Sequence, residues 1–327
     1  MSKKKDGGSM DKKIQILELF GGIGAPRVAL RNLGIPVKSI DYIEIDEKAV
    51  RTYNSMFSNE LEYKTQDVVG WNLKPDILIH GSPCQDFSIA GKQKGADQGS
   101  DTRSSLMWET LYIIEQMGEW KPKVVIWENV KNVLSKYMKH NFNKYINYMK
   151  KLGYFSSYEI LDARDYGLPQ ARERVFTISI LGEHIFDFSL LKKREMKNIQ
   201  SFLESDTKEH YTVTQPSMLS KIKSREGSIC KWTVPVIENF AYTITCKQMR
   251  CPNSGVISLG NGKYRYLTER ECWRLQGFSD DEFEAALKAH PGRKGCLNGG
   301  LYKQAGNTIP VPVLESIFEV LIDKYLR

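Results

Sequence analysis

The stretch "LELFGGIGAPRVAL", Leu17–Leu30, decides the fold. An apolar run rich in strand formers ends at Phe20. Glycines follow at positions 21, 22 and 24, and helix-spaced apolar residues begin at Ala25. Pro26 suits the first turn of that helix and Gly34 its end. Strand, glycine turn and helix form the opening unit of an α/β layer. Small residues at a helix N-terminus also let a ligand approach the backbone.

Working outward, the unit repeats. Strands are predicted at "VKSIDYIEID", "PDILIHGSP", "PKVVIWENV", "SSYEILDA" and "RVFTISILG". Helices are predicted at "EKAVRTYNSMF", "SLMWETLYIIEQM" and Phe142–Leu152. Apolar strands alternating with helices predict a doubly wound parallel sheet covered on both faces, a Rossmann-like α/β fold. The pattern fades near Gly182. Residues 183–262 read as a smaller irregular domain, 263–302 as a joining region containing the helix of "LTERECWRLQGF", and 303–327 as a segment returning to the first domain, which spans 11–182. Residues 1–10, "MSKKKDGGSM", read as an extension or tag.

The chain of 327 residues carries a net charge of +8, which favours a polyanionic partner. No apolar run approaches the ~20 residues of a membrane span. Six cysteines, with no C-x-x-C and no histidine at ligand spacing, argue against a metal site. With no secretion signal, a reducing cytoplasm is the expected compartment.

Several residues stand where open α/β sheets carry ligands. Glu44 ends the second predicted strand and could accept from ribose hydroxyls, a design shared with nicotinamide sites. Asp67 falls where a third strand should end and could accept from an adenine amino group. A solvated acid would account for either alone. Cys84 follows a strand end and Pro83, and precedes a basic glycine-rich loop with Lys92 and Lys94. A lone cysteine is usually a buried small hydrophobe, but a polar loop weakens that account. A nucleophilic role would need a partner that activates the electrophile. Glu128 ends the next strand, on the same edge as Cys84. Arg172 and Arg174, two positions apart, point to one face.

Together these pieces resemble the DNA cytosine-5 methyltransferases, in order, over nearly all of the chain after Met10. The resemblance rests on Phe20-x-Gly22-x-Gly24, Pro83-Cys84-Gln85, Glu128-Asn129-Val130, Gln170-x-Arg172-x-Arg174, "RYLTERECWRLQGF" and "YKQAGNTIPVPV". It implies an enzyme of the prokaryotic or phage restriction-modification type. The cofactor would be S-adenosylmethionine, leaving as S-adenosylhomocysteine, and the substrate a cytosine flipped out of double-stranded DNA. Cys84 matches the nucleophile that adds to C6. Glu128 matches the acid at N3, and Arg174 the group at O2, with Arg172 supporting the same site. Phe20, Gly22, Gly24, Glu44, Asp67, Pro83, Asn307 and Thr308 match cofactor contacts. Ile45 stands where an aromatic often stacks on adenine, and Ala25 and Pro26 replace the usual second glycine. Gln85, Ser88, Lys92 and Lys94 would belong to a loop closing over DNA, and residues 183–262 would be the target-recognition region. Thr243 there precedes a candidate reading loop with Gln248 and Arg250, and Arg225 lies upstream. Phosphate contact explains either arginine as well as base reading does. The resemblance further implies a monomer, with a cognate endonuclease as possible genetic partner. A homologue that only holds DNA, a nicotinamide-linked oxidoreductase and an RNA-directed relative are the competing accounts. The nicotinamide account leaves the Pro-Cys-Gln loop without a role.

Overall fold

The computed structural model describes residues 14–58, 62–68, 75–82, 106–223, 233–250 and 252–326. The opening half alternates as its periodicity predicts. β1 (Ile14–Leu19) leads to α1 (Ala25–Asn32), β2 (Val37–Ile43) to α2 (Glu47–Met56), and β3 (Ile77–His80) precedes α3 (Leu106–Gln116). β4 (Val124–Val130), α4 (Lys139–Lys151), β5 (Tyr154–Asp162), the short β6 (Gln170–Ala171) and β7 (Glu173–Leu181) complete this half. No strand occupies residues 62–68, so the third strand expected before Asp67 is absent there.

The six-stranded sheet runs β2-β1-β3-β4-β7-β5. The first four strands are parallel, whereas β7 is antiparallel to both β4 and β5. This corrects the expectation of an all-parallel sheet. The chain between β5 and β7 carries no crossover helix, only the turn at 163–165 and β6, so β7 re-enters in the reverse sense. Aligned residues place Leu19, His80 and Trp127 side by side at the C-terminal ends of β1, β3 and β4. The chain leaves β1 toward β2 on one side and returns to β3 on the other. That reversal of strand order makes the crevice in which open α/β sheets bind ligands.

Alternation along each strand divides the core. Ile16, Ile79, Ile126 and Phe176 face one layer, with α1 and α2. Leu17, Leu78, Trp127 and Val175 face the other, with α3 and α4. The remainder comprises α5 (Pro216–Lys223), β8 (Ala241–Tyr242), the hairpin of β9 (Ile257–Gly260) and β10 (Lys263–Arg265), α6 (Glu269–Arg274), α7 (Asp280–Ala289), α8 (Gly299–Asn307) and α9 (Val311–Lys324). A small apolar cluster of its own joins Val213, Met218, Val234, Val256 and Tyr266. Much of this half, including Ile244, Trp273, Leu301 and Phe318, belongs to the same core as Ile16. α9 packs on α1, as its apolar face predicts.

Contrary to the sequence-based expectation, the stretch Gly299–Lys324 is long and apolar enough to cross a membrane by composition. Its helix breaks at Thr308 to Pro310, and 67% of its most apolar window is buried inside the protein, as in a core helix.

Candidate active site

A cavity opens at the crevice, lined by Glu18 to Gly22, Ala25, Pro26, Ile79, Gly81, Glu128 and Asn307 to Ile309. Its floor comes from one face of the sheet. Glu18 on β1 pairs with Ile79 on β3, and Ile79 with Ile126 on β4, so Glu18, Ile79 and Glu128 point into the same space.

The rim is the turn after β1. Phe20, Gly22 and Gly24 all have positive φ (56°, 57° and 79°), so the F-x-G-x-G spacing marks the three left-handed positions of the turn. A Cβ on Gly21 would lie 2.6 Å from Tyr42, and one on Gly24 2.5 Å from Tyr53, because these two rings stack under the turn. The Gly22 peptide is held at both ends. Its N–H donates to Glu44 Oε2 (2.9 Å), and its carbonyl accepts from Tyr42 Oη (2.5 Å). Glu44 Oε1 also accepts from the N–H groups of Ile45 and Asp46. Glu44 is thus fixed at the lip of the turn with one acceptor site on Oε2 to spare. Ile45 beside it is 69% exposed, and Asp67 is exposed.

Glu128 and Arg174 meet across the antiparallel β4–β7 pair. Glu128 aligns with Phe176, which sets Arg174 diagonally beside it on the same face. Arg174 Nε lies 3.1 Å from Glu128 Oε1, and both side chains are nearly buried, at 15% and 13% exposed. Burial raises the Glu128 pKa above the ordinary carboxylate range, and the guanidinium groups of Arg174 and Arg172 oppose that shift. The other face of "WENV" anchors the approach to Cys84. Trp127 Nε1 donates to Ser82 Oγ (3.0 Å), and Asn129 Nδ2 to the Ser82 carbonyl (3.5 Å). A Cβ on Gly81 would stand 3.5 Å from Glu128 Oε2, so the end of β3 lies against the Glu128 carboxyl.

Arg172 takes a different place from Arg174. It is 3% exposed, and its guanidinium donates to the carbonyls of Ile244, Gly306 and Thr308. Expected to support the same site as Arg174, it lies just before β7 and ties the start of that strand to the 243–246 segment and the end of α8. Gln170 joins the same knot, accepting from the Ile244 N–H and donating to the Leu275 carbonyl. Thr243, expected at DNA, donates its hydroxyl to the Ala171 carbonyl (2.8 Å). Gln248, the other candidate reader, has a fully buried side chain whose amide donates to Ser254 Oγ. Arg250 is exposed. Asn307 and Thr308 border the cavity. Pro83, Cys84, Gln85, Ser88, Lys92, Lys94, Arg225 and the 1–10 extension lie outside the described residues.

Three features escaped the sequence reading. Glu18, a lone acid inside an apolar strand, lines the cavity, and the charge within "LEL" was its only signal. Tyr42 and Tyr53 support the glycine turn from the next strand and helix. The "RYLTERE" motif is a buried clamp. Arg265 pairs with Glu271 (2.8 Å), which also closes a capping box with Thr268, a pattern visible in T-x-x-E.

The family model described as C-5 cytosine-specific DNA methylase matches residues 14–323. Type II methyltransferase M2.ScrFI of Lactococcus lactis subsp. cremoris is 32% identical, over 94% of this chain and 99% of its own length. Type II methyltransferase M.HhaI of Haemophilus parahaemolyticus is 30% identical, over 93% of each. Among solved structures, S. pombe Dnmt2 methyltransferase superposes with a TM-score of 0.72 at 21% identity, over 95% of this chain and 99% of that one, a likeness of fold.

Proposed function

The chain belongs to the C-5 cytosine-specific DNA methylases and is a DNA cytosine-5 methyltransferase, and on that premise we propose how its residues divide the work. The substrate is a cytosine turned out of a short double-stranded site, since C5 and C6 are out of a side chain's reach within the stack. The observation that carries this reading is Glu128, which lines the cavity rimmed by the glycine turn, is paired with Arg174, and adjoins the strand end leading to Cys84.

The residues present fit S-adenosylmethionine. The left-handed turn offers backbone without side chains, Glu44 is held ready for the ribose, and Ile45 gives an apolar face at the adenine end. When bound, that cofactor supplies an electrophilic methyl on a sulfonium sulfur. Asn307 and Thr308 close the cavity from the other side.

The chemistry of the base then falls to three side chains. Cys84 thiolate forms a bond to C6 of cytosine. Glu128, whose protonated form burial favours, donates to N3 and draws electrons from C6. Arg174 offers its remaining guanidinium donors to O2 while holding Glu128 in place. C5, now electron-rich, accepts the methyl. Loss of the C5 proton and cleavage of the carbon–sulfur bond restore the ring.

The net charge of +8 and the exposed Lys247 and Arg250 suit a phosphate backbone. The relatives named Type II methyltransferases extend the proposal to a cognate endonuclease as genetic partner. Transfer of labelled methyl from S-adenosylmethionine to mixed-sequence duplex DNA, followed by bisulfite sequencing, tests the reading. Label at cytosine C5 within one short motif is expected. Cofactor binding without transfer to any duplex would overturn it.

A further inference from the structure

The cavity holds one acid that the chemistry above does not use. Glu18 is 1% exposed, and its two carboxyl oxygens have unlike surroundings. Oε1 accepts from Tyr53 Oη (3.1 Å), and that hydroxyl in turn accepts from Arg27 Nη1 (3.2 Å). Arg27 therefore acts on Glu18 through the tyrosine. Its guanidinium is stacked on Phe57, 4.2 Å from the ring centroid. Oε2 is buried and has no hydrogen-bond partner. Glu18 lines the same cavity as Gly22, Gly81 and Glu128.

A buried carboxylate with a bare oxygen has two ways to settle. It can hold a proton, or it can meet a cation. The groups packed around Glu18 supply only part of a cation. α1 contributes Arg27, one hydroxyl removed, and α2 contributes the neutral Tyr53. β2 contributes the neutral Tyr42, β3 the apolar Ile79, and β4 the acid Glu128, which is already paired with Arg174. The cofactor of the proposed function is itself cationic, with an ammonium and a sulfonium on its methionyl arm.

We propose that the bare oxygen of Glu18 receives a cationic group of the cofactor, and that loading the cavity expels the proton Glu18 holds when the cavity is empty. The bond broken is the carboxyl O–H, its proton goes to solvent, and an ion pair takes its place. Burial pushes Glu18 up to about 8, in keeping with a protonated group in the empty cavity at neutral pH. The proposal rests on the cofactor reading. It adds that loading of this site is coupled to loss of a proton from the protein.

Calorimetric titration at pH 6.5, in two buffers of unlike ionisation enthalpy, counts the protons released on binding. At that pH the cofactor's own amino group stays charged. The wild-type protein should release about one proton per S-adenosylmethionine, and Glu18→Gln almost none. Glu128→Gln should keep the release, because its acid is not the source. Wild-type affinity should rise about tenfold between pH 6 and pH 7 while that of Glu18→Gln stays flat. Release with S-adenosylhomocysteine as well would identify the ammonium as the partner, and release with S-adenosylmethionine alone the sulfonium. Binding without proton release, or release that survives Glu18→Gln, would overturn the proposal and leave the cofactor reading standing. Failure of S-adenosylmethionine to bind at all would overturn both.

Discussion

At Glu128 two demands meet. The carboxyl must keep a proton near neutral pH to donate to N3, and it must be held rigidly. Burial works toward the first by penalising the anion, and the Arg174 guanidinium at 3.1 Å serves the second while partly opposing the first. The balance lies on the side of burial, since the net shift is upward. Because the acid is the working form, turnover should fall as pH rises through the Glu128 pKa, giving the pH–rate profile an alkaline limb. Glu128→Gln keeps the shape and loses the proton. It should cost at least ~10²-fold in kcat and flatten that alkaline limb. Single-turnover rates from pH 6 to pH 9 check both, and a variant with the wild-type profile would remove Glu128 from the reaction. Residue types alone left some roles undecided. Arg172 and Arg174 share a motif and a chemistry, yet Arg174 pairs with Glu128 while Arg172 binds three backbone carbonyls. Gln248 has the side chain of an adenine reader but is buried on Ser254. Burial of a polar residue depends on how its loop folds on itself, here onto Ser254 six residues on, and residue type alone does not report it.

At the scale of elements, the turn between β1 and α1 is the most legible part of the chain. Gly22 and Gly24 stand at two of its three left-handed positions, with Phe20 at the third, a requirement local enough to be written in a few residues. The reversed β7 was not legible. Apolar alternation gives a strand its faces and not its direction, and the connection from β5 reads as loop in either case. The same locality makes the turn fragile. Gly24→Ala would strain a φ of 79° and drive a methyl to 2.5 Å from the Tyr53 ring, which sits between Glu18 and Arg27. We expect a stability loss of ~1–3 kcal/mol. Affinity for S-adenosylmethionine should weaken about tenfold or more, equivalent to ~1.4 kcal/mol. Denaturant titration and calorimetry on one preparation measure the two together. Unchanged cofactor affinity would mean that the turn does not form the cofactor's cradle.

Over the whole molecule, two buried groups at the ends of neighbouring strands shape stability against pH. His80 is 1% exposed, bonded to Tyr145 Oη (3.1 Å) and stacked with Trp127, and burial pushes it down to about 3. A histidine depressed on folding contributes stability above its unfolded value, near 6.5, and loses it as pH falls toward 3, at up to ~1.4 kcal/mol per unit. Glu18 is raised from 4.5 to about 8, so its contribution is complete below 4.5 and is lost as pH rises toward 8. Between 4.5 and 6.5 the two slopes oppose each other, which predicts a plateau there and a decline on each side. Denaturant midpoints across pH 4 to 8.5 should show that plateau. His80→Gln should shallow the acid side, and Glu18→Gln the alkaline side. Curves that stay parallel to the wild type would contradict the assignment.

The central claim is that Cys84 attacks C6 of a cytosine in DNA, and a trapped adduct tests it most directly. A duplex that the protein methylates, with 5-fluorocytosine at the target position, cannot lose the C5 substituent once the methyl has been added. Incubation with S-adenosylmethionine should then give a near-stoichiometric protein–DNA adduct that survives denaturation, with the modified base mapped by mass spectrometry to the peptide containing Cys84. Cys84→Ser should give none, because a serine hydroxyl is far less ionised than a thiol at neutral pH. An adduct on another residue, or no adduct on a duplex that the wild-type protein demonstrably methylates, would contradict the account.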